Sequence, residues 1–396
     1  MYERPVLQQL KTRVTEPRKF IQVVIGPRQV GKTTMVGQLV NQLTVPSLVV
    51  SADNIPAADQ VWLSSTWNEA RLKLAMSETG EFLLVIDEIQ KIDNWSEIVK
   101  KEWDEDTLAG RNIKIIVLGS SRLLIQKGLT ESLAGRFETI HLTHWSYKEM
   151  WDAFDMRPDQ YIWFGGYPGA ASLIDDETRW KAYIRDSLIE TSISKDVLML
   201  SRVDKPALLK RLFEIGCMYS GQIIALNKIQ GELQEKGNLT TLSNYLHLLD
   251  GAGMLSGIEK YSGDVIRMRA SRPKFQVYNN ALLSAQSFHV FKAAVANAKE
   301  WGRITESAVG AHLLNSAQSR RYNLYYWNDS NSEVDFIIES HGRLVALEVK
   351  TGTDIKSPGL QKFDGLFHPS RSFIIGKGGI AVDEFLAMDP AILLSI

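Results

Sequence analysis

The segment GPRQVGKTT at positions 26–34 has the residue types and spacing of a phosphate-binding loop, G-x-x-x-x-G-K-[ST]. It follows the apolar run IQVVI and precedes an amphipathic stretch, which predicts strand, loop and helix in that order. Lys32 supplies a positive charge for the β- and γ-phosphates, and the Thr33 hydroxyl is an expected Mg²⁺ ligand. The residues predicted to bind ATP in this loop are Gly26, Pro27, Arg28, Gln29, Val30, Gly31, Lys32, Thr33 and Thr34.

A second apolar run, in EFLLVIDEIQKI, ends in two carboxylates, Asp87 and Glu88. The carboxyl ends of parallel strands meet at one edge of a sheet, so we expect both side chains to face the phosphate loop. Asp87 is the expected second Mg²⁺ ligand. Glu88 is expected to orient or deprotonate the attacking water.

Two further predicted strands contribute candidate catalytic residues. The run NIKIIVLGSS ends at Ser120, which would sense the γ-phosphate; the alternative is that its serines cap the next helix. Arg136 precedes a fourth strand and is a candidate arginine finger that reaches a neighbouring subunit, with Arg122 as the second candidate. The alternative for Arg136 is an intramolecular surface role.

The strings GPRQVGKTT, DEIQKIDNW, LGSS and LAGRF together resemble prokaryotic AAA-type ATPases in which an AAA_14 domain is joined to a DUF4143 region. The resemblance covers nearly the whole chain. It implies an α/β fold with a P-loop AAA+ parallel sheet, ATP and Mg²⁺ as cofactors, and a homo-oligomeric ring, expected to be a hexamer. The predicted domains are an ATPase core at 1–145, a helical lid at 146–204, a winged helix at 205–280 and a PD-(D/E)xK nuclease-like domain at 281–396.

The lid contains the glycine-rich turn FGGYPGAASL. By analogy with related signalling ATPases, Pro168 is expected to approach the adenine; a plain turn between helices is the alternative.

The winged helix is predicted from three helical patterns followed by a hairpin pattern. The third helix, with Thr240 or Thr241 as its expected cap, offers polar side chains but no Lys or Arg. The candidates in this helix are Thr241, Ser243, Asn244, Tyr245 and His247. The hairpin is basic, which suits contacts with DNA phosphates, while a purely structural connector is the alternative. The predicted DNA-binding residues are Arg267, Arg269, Arg272 and Lys274.

The segment SEVDFIIESHGRLVALEVKTG predicts two strands joined by a turn at His341–Gly342. Glu348 and Lys350 are two residues apart and point to one face, which Asp335 on the paired strand can reach. Glu306 joins this cluster from a preceding helix, as the nuclease-like resemblance implies. Such a set suits a divalent metal and an activated water, whereas a salt-bridged strand pair is the alternative. We expect little or no cleavage of DNA.

The composition of the chain restricts which of these functions are possible. The chain has 396 residues and a net charge of −1, so any DNA binding must come from a local patch. The single cysteine, Cys217, is expected in a buried helix, and the chain is expected to be cytoplasmic without a membrane segment. The favoured function is an Mg-dependent ATPase that couples hydrolysis to DNA binding, remodelling or translocation. The alternatives are a nucleotide-controlled switch that binds a protein partner and, third, an ATP-gated nuclease.

Overall fold

The computed structural model describes residues 1–119, 128–129, 132–198, 203–232, 238–263, 271–320, 322–352 and 356–395. The chain divides into two compact units, Met1–Leu142 and Thr143–Ile396. The domain boundaries predicted within the second unit remain predictions. No helix in the described ranges is both long and apolar enough to span a bilayer.

The first unit is built on a parallel sheet. Its elements are α1 (Val6–Thr15), β1 (Ile21–Ile25), α2 (Lys32–Gln42), β2 (Ser47–Ser51), α3 (Gln60–Ala75), β3 (Phe82–Asp87), α4 (Trp95–Leu108), β4 (Ile113–Gly119) and β5 (Phe137–His141). The strand order is β2-β3-β4-β1-β5, and every neighbouring pair is parallel. The predicted α/β fold with a P-loop-type parallel sheet is confirmed.

The three central strands are largely apolar because helices cover both faces of the sheet. Every residue of β1, β3 and β4 is buried. Within β3, Leu83 and Val85 pack in the cluster formed with α1 and α2, while Leu84 and Ile86 pack in the cluster formed with α3 and α4. The edge strand β2, which the sequence analysis did not identify, is only partly buried.

The second unit begins with helices. These are α5 (Tyr147–Phe154), α6 (Pro158–Phe164), a 3-10 turn (Pro168–Leu173), α7 (Glu177–Ala182) with π-helical continuations (Tyr183–Ile189 and Ser192–Leu198), α8 (Pro206–Met218), α9 (Leu226–Glu232) and α10 (Leu239–Gly251). Cys217 is buried in α8, as predicted. Asn238, rather than Thr240 or Thr241, caps α10, because its side chain accepts a hydrogen bond from the Thr240 amide.

The remaining elements of this unit form a mixed sheet and its covering helices. They are β6 (Gln222–Ile223), β7 (Leu255–Lys260), β8 (Lys274–Val277), α11 (Ala281–Ser284), α12 (Phe291–Ala296), α13 (Ala298–Arg320), β9 (Asn323–Asp329), β10 (Ser332–Ser340), β11 (Arg343–Lys350), α14 (Pro358–Phe367), β12 (Arg371–Gly376), α15 (Val382–Ala387) and a 3-10 turn (Pro390–Leu394). The strand order is β12-β11-β10-β9-β7-β8-β6.

One feature of this sheet was not predicted. The antiparallel pair β7–β8, which belongs to the predicted hairpin, continues into the C-terminal strands because β7 pairs in parallel with β9. The pairing is short, with Glu259 opposite Tyr325 and Lys260 opposite Tyr326. The turn at His341–Gly342 between β10 and β11 is confirmed, and both of its residues have positive φ.

The glycine pair at 165–166 is required by close packing. Gly165 ends α6 with φ 68°, and the Gly166 amide donates to Asn279 Oδ1 at 3.1 Å. A Cβ atom on Gly166 would lie 2.1 Å from the Trp145 carbonyl oxygen. Asn279 also contacts His144 Nδ1 at 3.2 Å, and His144 Nε2 contacts the Gly253 carbonyl at 2.9 Å. These contacts explain why glycine is needed at positions 165 and 166.

We therefore predict that Gly166→Ala destabilises the second unit by about 1–3 kcal/mol, because the new methyl group meets backbone that cannot yield easily. Calorimetric unfolding of the full chain should show this as a lower transition midpoint. Gly365→Ala is the matched control, since a Cβ atom there, within α14, has no neighbour within 4 Å. An unchanged midpoint for Gly166→Ala would show that the turn is looser than described.

Candidate functional site

The phosphate loop joins β1 to α2 and follows the strand, loop and helix order that the sequence predicts. Gly26 is fixed by space, because a Cβ atom would lie 2.0 Å from the Leu142 carbonyl oxygen beside it. Gln29 and Gly31 have φ values of 61° and 89°, so the backbone turns twice before α2 begins. The amino end of α2 therefore faces the loop, where its partial positive charge favours anions.

Lys32 lies inside this loop with only 7% of its surface exposed. Its Nζ atom donates to the carbonyl oxygens of Gly26 and Pro27, both at 2.8 Å. The ammonium is thus held at the centre of the curled backbone, in reach of any phosphate bound there. Arg4 supports the loop from α1's side by donating to the Val30 carbonyl at 3.2 Å.

Thr33 and Asp87 meet across the sheet edge. The Thr33 hydroxyl donates to Asp87 Oδ2 at 2.7 Å, and Asp87 Oδ1 accepts from the Glu88 amide at 2.9 Å. Asp87 is 8% exposed. A hydroxyl and a carboxylate oxygen at this separation are the hard ligands that Mg²⁺ prefers, so the donor set fits the predicted ion.

Glu88 has a left-handed backbone, with φ 52° and ψ 34°, so the chain leaves the direction of β3 at this residue. Gln90 Nε2 donates to Glu88 Oε2 at 2.7 Å. Sequence analysis missed Gln90 as a positioning residue, although it lies within the quoted string DEIQ. The amide fixes the carboxylate that was predicted to orient water.

Three other residues were predicted to act at this site: Ser120, Pro168 and Arg136. Ser120 lies outside the described residues; β4, which leads to it, runs between β1 and β3. Pro168 is half-buried and begins the 3-10 turn after the glycine pair. Arg136 forms a bidentate pair with Asp104, with Nε–Oδ1 at 2.7 Å and Nη2–Oδ2 at 2.9 Å. Hydrogen bonding to Arg136 lowers the pKa of Asp104, so this carboxylate stays ionised.

The predicted DNA-binding residues do not form one surface in the described chain. Arg267 and Arg269 lie outside the described residues, and Arg272 is exposed. The prediction for Lys274 is wrong, because its side chain is 0% exposed.

On α10, Ser243, Asn244 and His247 are exposed. Tyr245 is buried, with its hydroxyl accepting from the Lys205 amide at 3.0 Å, and is therefore not available as a DNA contact.

The C-terminal cluster comes together as its spacing predicts. Glu348 and Lys350 form an ion pair at 2.8 Å on one face of β11. Asp335 Oδ2 accepts from the Val349 amide at 2.8 Å, beside the irregular β9–β10 pairing between Val334 and Ile337. Lys350 is not the only cation beside these acids, because Lys274 enters the same cluster.

Lys274 extends from β8 into the acidic cluster. Its Nζ atom lies 2.6 Å from Glu306 Oε1 and donates to the Asp335 carbonyl oxygen at 3.2 Å. It also lies 3.6 Å from Asp335 Oδ1 and 3.6 Å from Glu333 Oε1. Sequence analysis missed Glu333, although it lies two residues before Asp335 on the same strand face.

The charges in this cluster are strongly perturbed. Burial works against the Lys274 ammonium, but attraction to Glu306, Asp335 and Glu333 outweighs it and raises the pKa of Lys274. Burial, with the nearby Asp335 charge, raises the pKa values of Glu306 and Glu348. Within the described residues, no group of three His, Cys, Asp or Glu side chains has the geometry to hold a metal ion.

Family models match three successive regions of the chain. The AAA_14 family, described as an AAA domain, matches residues 18–151. Two domains of unknown function follow, DUF8612 at residues 157–290 and DUF4143 at residues 301–384.

Similar proteins occur in archaea and bacteria. An uncharacterised protein of Methanocaldococcus jannaschii is 25% identical over 343 residues, which cover 80% of this chain and 72% of that protein. An uncharacterised protein of Haemophilus influenzae is 23% identical over 348 residues, which cover 83% of this chain and 82% of that protein.

Among solved structures, a Walker-type ATPase of Pyrococcus abyssi is similar in fold, with a TM-score of 0.50 and 13% identity. The likeness covers 72% of this chain and 96% of that one. The resemblance inferred from the sequence motifs is confirmed, because models of an AAA_14 domain and of a DUF4143 domain both match this chain.

Proposed function

We propose that the chain binds ATP with Mg²⁺ at the phosphate loop, hydrolyses it, and couples hydrolysis to binding, remodelling or translocating DNA. The observation that carries the hydrolytic part is the 2.7 Å contact between the Thr33 hydroxyl and Asp87, with Glu88 next along the chain. It joins the loop that holds phosphate to the strand that ends in two carboxylates.

Each residue has a distinct role in this proposal. Lys32 exchanges its loop carbonyls for phosphate oxygens and so neutralises charge on the β- and γ-phosphates. Thr33 and Asp87 hold Mg²⁺, which when bound offsets the charge that develops on the phosphates. Glu88, held by Gln90, orients the attacking water and accepts its proton. Ser120 is proposed to sense the γ-phosphate, and Pro168 to approach the adenine.

The proposal that the chain binds DNA rests on fewer described residues than the sequence predicted. Support comes from exposed Ser243, Asn244 and His247 on one face of α10 and from exposed Arg272 at the start of the segment leading into β8. Arginine suits phosphate contacts, and asparagine suits base edges. Arg267 and Arg269 remain part of the proposed surface.

A specific observation favours the second candidate, a nucleotide-controlled switch that binds a protein. A groove of about 480 Å³ lies beside α10, between this helix, β7 and β9. Its lining includes the acids Asp250 and Glu259 but no Lys or Arg among the described residues. Such a lining repels a phosphate backbone and suits a polar peptide surface.

We predict that Lys32→Ala abolishes ATP binding or turnover, because the phosphates lose their main cation. Glu88→Gln should bind ATP but lower kcat by at least about 100-fold, the usual contribution of a positioned base. Gln90→Ala should lower kcat less, since it only releases the carboxylate. Steady-state hydrolysis and nucleotide binding measure these effects.

The control for charge removal is Glu69→Gln, which changes only an exposed pair with Lys73. It should leave turnover unchanged. Glu88→Gln protein that hydrolyses ATP at the parental rate would disprove the assignment of the base.

For DNA coupling, we predict that single-stranded, duplex or branched DNA raises ATP turnover. Arg272→Ala and Asn244→Ala should each reduce this stimulation while leaving basal turnover intact, because neither residue belongs to the ATP site. If none of the three DNAs binds or changes turnover even at low salt, where phosphate contacts are strongest, the protein-partner alternative replaces this part of the proposal.

We also propose a homo-oligomeric ring, expected to be a hexamer, in which Arg136 acts on the neighbouring subunit's nucleotide. The Arg136–Asp104 pair is partly exposed, at 32% and 40%, and such pairs contribute only about 0.2–1 kcal/mol to stability, so releasing the arginine costs little.

We predict that Arg136→Ala is inactive alone and regains activity when mixed with inactive Glu88→Gln protein in the presence of ATP. Asp104→Ala is the matched control. It removes the same ion pair but should retain turnover, because Arg136 stays available. Equal loss of turnover in Arg136→Ala and Asp104→Ala, without recovery on mixing, would assign the arginine an intramolecular role.

A further inference from the structure

The acidic cluster of the second unit contains a cation supplied by the protein itself. Lys274 is fully buried, and three elements surround its Nζ atom: α13 with Glu306, β10 with Glu333 and Asp335, and β8 from which it extends. The Lys274 Nζ atom also lies over the Phe336 ring, 4.7 Å from the ring centroid. The negative face of the ring therefore adds to the attraction that the carboxylates exert on the ammonium.

The polar contacts of Nζ are all with oxygen atoms, which are the ligands that hard cations prefer. These oxygens belong to Glu and Asp carboxylates and to one backbone carbonyl, at distances of 2.6 to 3.6 Å from Nζ. An ammonium group offers three donors and no acceptor, so it satisfies oxygens in the same way as a metal ion but with a single charge. A divalent ion placed among these oxygens would meet the ammonium at close range and be repelled.

We infer that the Lys274 ammonium is the resident cation of this cluster: arranged around the lysine, Glu306, Glu333 and Asp335 have no geometry that holds a divalent metal ion, and removal of the lysine lets these carboxylates close around one. The native chain therefore binds neither Mg²⁺ nor Mn²⁺ at these carboxylates. The cluster then has no metal with which to activate water for cleavage of DNA. This inference concerns the second unit alone and does not depend on ATP hydrolysis.

The strength of the interaction supports this assignment. A buried charge is retained only when it is well paired, and removal of one partner leaves the other uncompensated. Without the Lys274 charge, the largely buried carboxylates of Glu306 and Asp335 and the half-exposed carboxylate of Glu333 would face one another with no cation between them. Their repulsion favours either uptake of protons or binding of a cation. A divalent cation provides the larger compensation.

The experiment compares the full-length protein with its Lys274→Met variant, in which an unbranched apolar chain replaces the lysine. Both carry Asp87→Asn and are studied without nucleotide, so that the ATP site contributes no metal binding. Mn²⁺ is the probe. Its binding is measured by the loss of the electron paramagnetic resonance signal of the free aqueous ion. Its effect on stability is measured as the shift in Tm relative to the same protein in chelator.

We expect no saturable binding and no Tm shift in the protein with Lys274. The Lys274→Met variant should bind Mn²⁺ at least about tenfold more tightly, as metal affinity follows the charge of the ligand set, and should gain Tm with the metal. Adding Asp335→Asn should remove the gain. Lys362→Met is the matched control. Lys362 is exposed and, among the described contacts, its ion pair is with Asp329. This variant should gain neither Mn²⁺ affinity nor Tm.

Two results would overturn the inference. The first is Mn²⁺ binding by the protein with Lys274 that Asp335→Asn abolishes, since the cluster would then hold metal beside the lysine. The second is a Lys274→Met variant that gains neither Mn²⁺ binding nor stability. If this variant does not fold in chelator, recovery of its structure on adding Mn²⁺ supports the inference, and failure to recover counts against it.

Discussion

The fully buried ammonium of Lys274 constrains how the elements of the second unit pack. Lys274 has no exposed surface, so its charge must be balanced within the fold. That requirement fixes β8 against α13 through Glu306 and against β10 through Asp335. The carboxylates are constrained in turn, because their mutual repulsion would be unopposed without the lysine. The position of this one atom therefore links three elements that are distant in sequence.

The first unit depends on a different constraint, the arrangement of parallel strands. β4 lies between β1 and β3, so the loop after β1 and the carboxylates after β3 face the same edge. The Thr33–Asp87 hydrogen bond shows that the two segments meet across this gap. On the other side of β1, Gly26 lets the phosphate loop pack against the Leu142 carbonyl, which occupies the space that a side chain would need. The geometry of this site therefore follows from the strand order and from one glycine.

The sequence was sufficient where chemistry follows local spacing. The phosphate loop, the pair Asp87–Glu88, and the same-face pair Glu348–Lys350 each depend on residues close together in the chain, and the structure brings them together. Edge strand β2 escaped prediction because its short run SLVVS has no helical or strictly alternating pattern. Lys274 was misassigned because its neighbours in sequence are basic and polar, whereas its partners lie 32 or more residues away.

The parallel pairing of β7 with β9 and the reach of Lys274 from β8 have a consequence for how such chains can be recombined. The two matched regions, residues 157–290 and 301–384, contribute opposite charges to one site: the first supplies the cation and the second supplies the acids. A DUF4143 region transplanted without β8 would carry an uncompensated set of carboxylates. The two regions therefore have to be inherited together. If recombination separates them within residues 291–300, the protein that receives the DUF4143 region needs either a change in these acids or a metal ion to balance their charge.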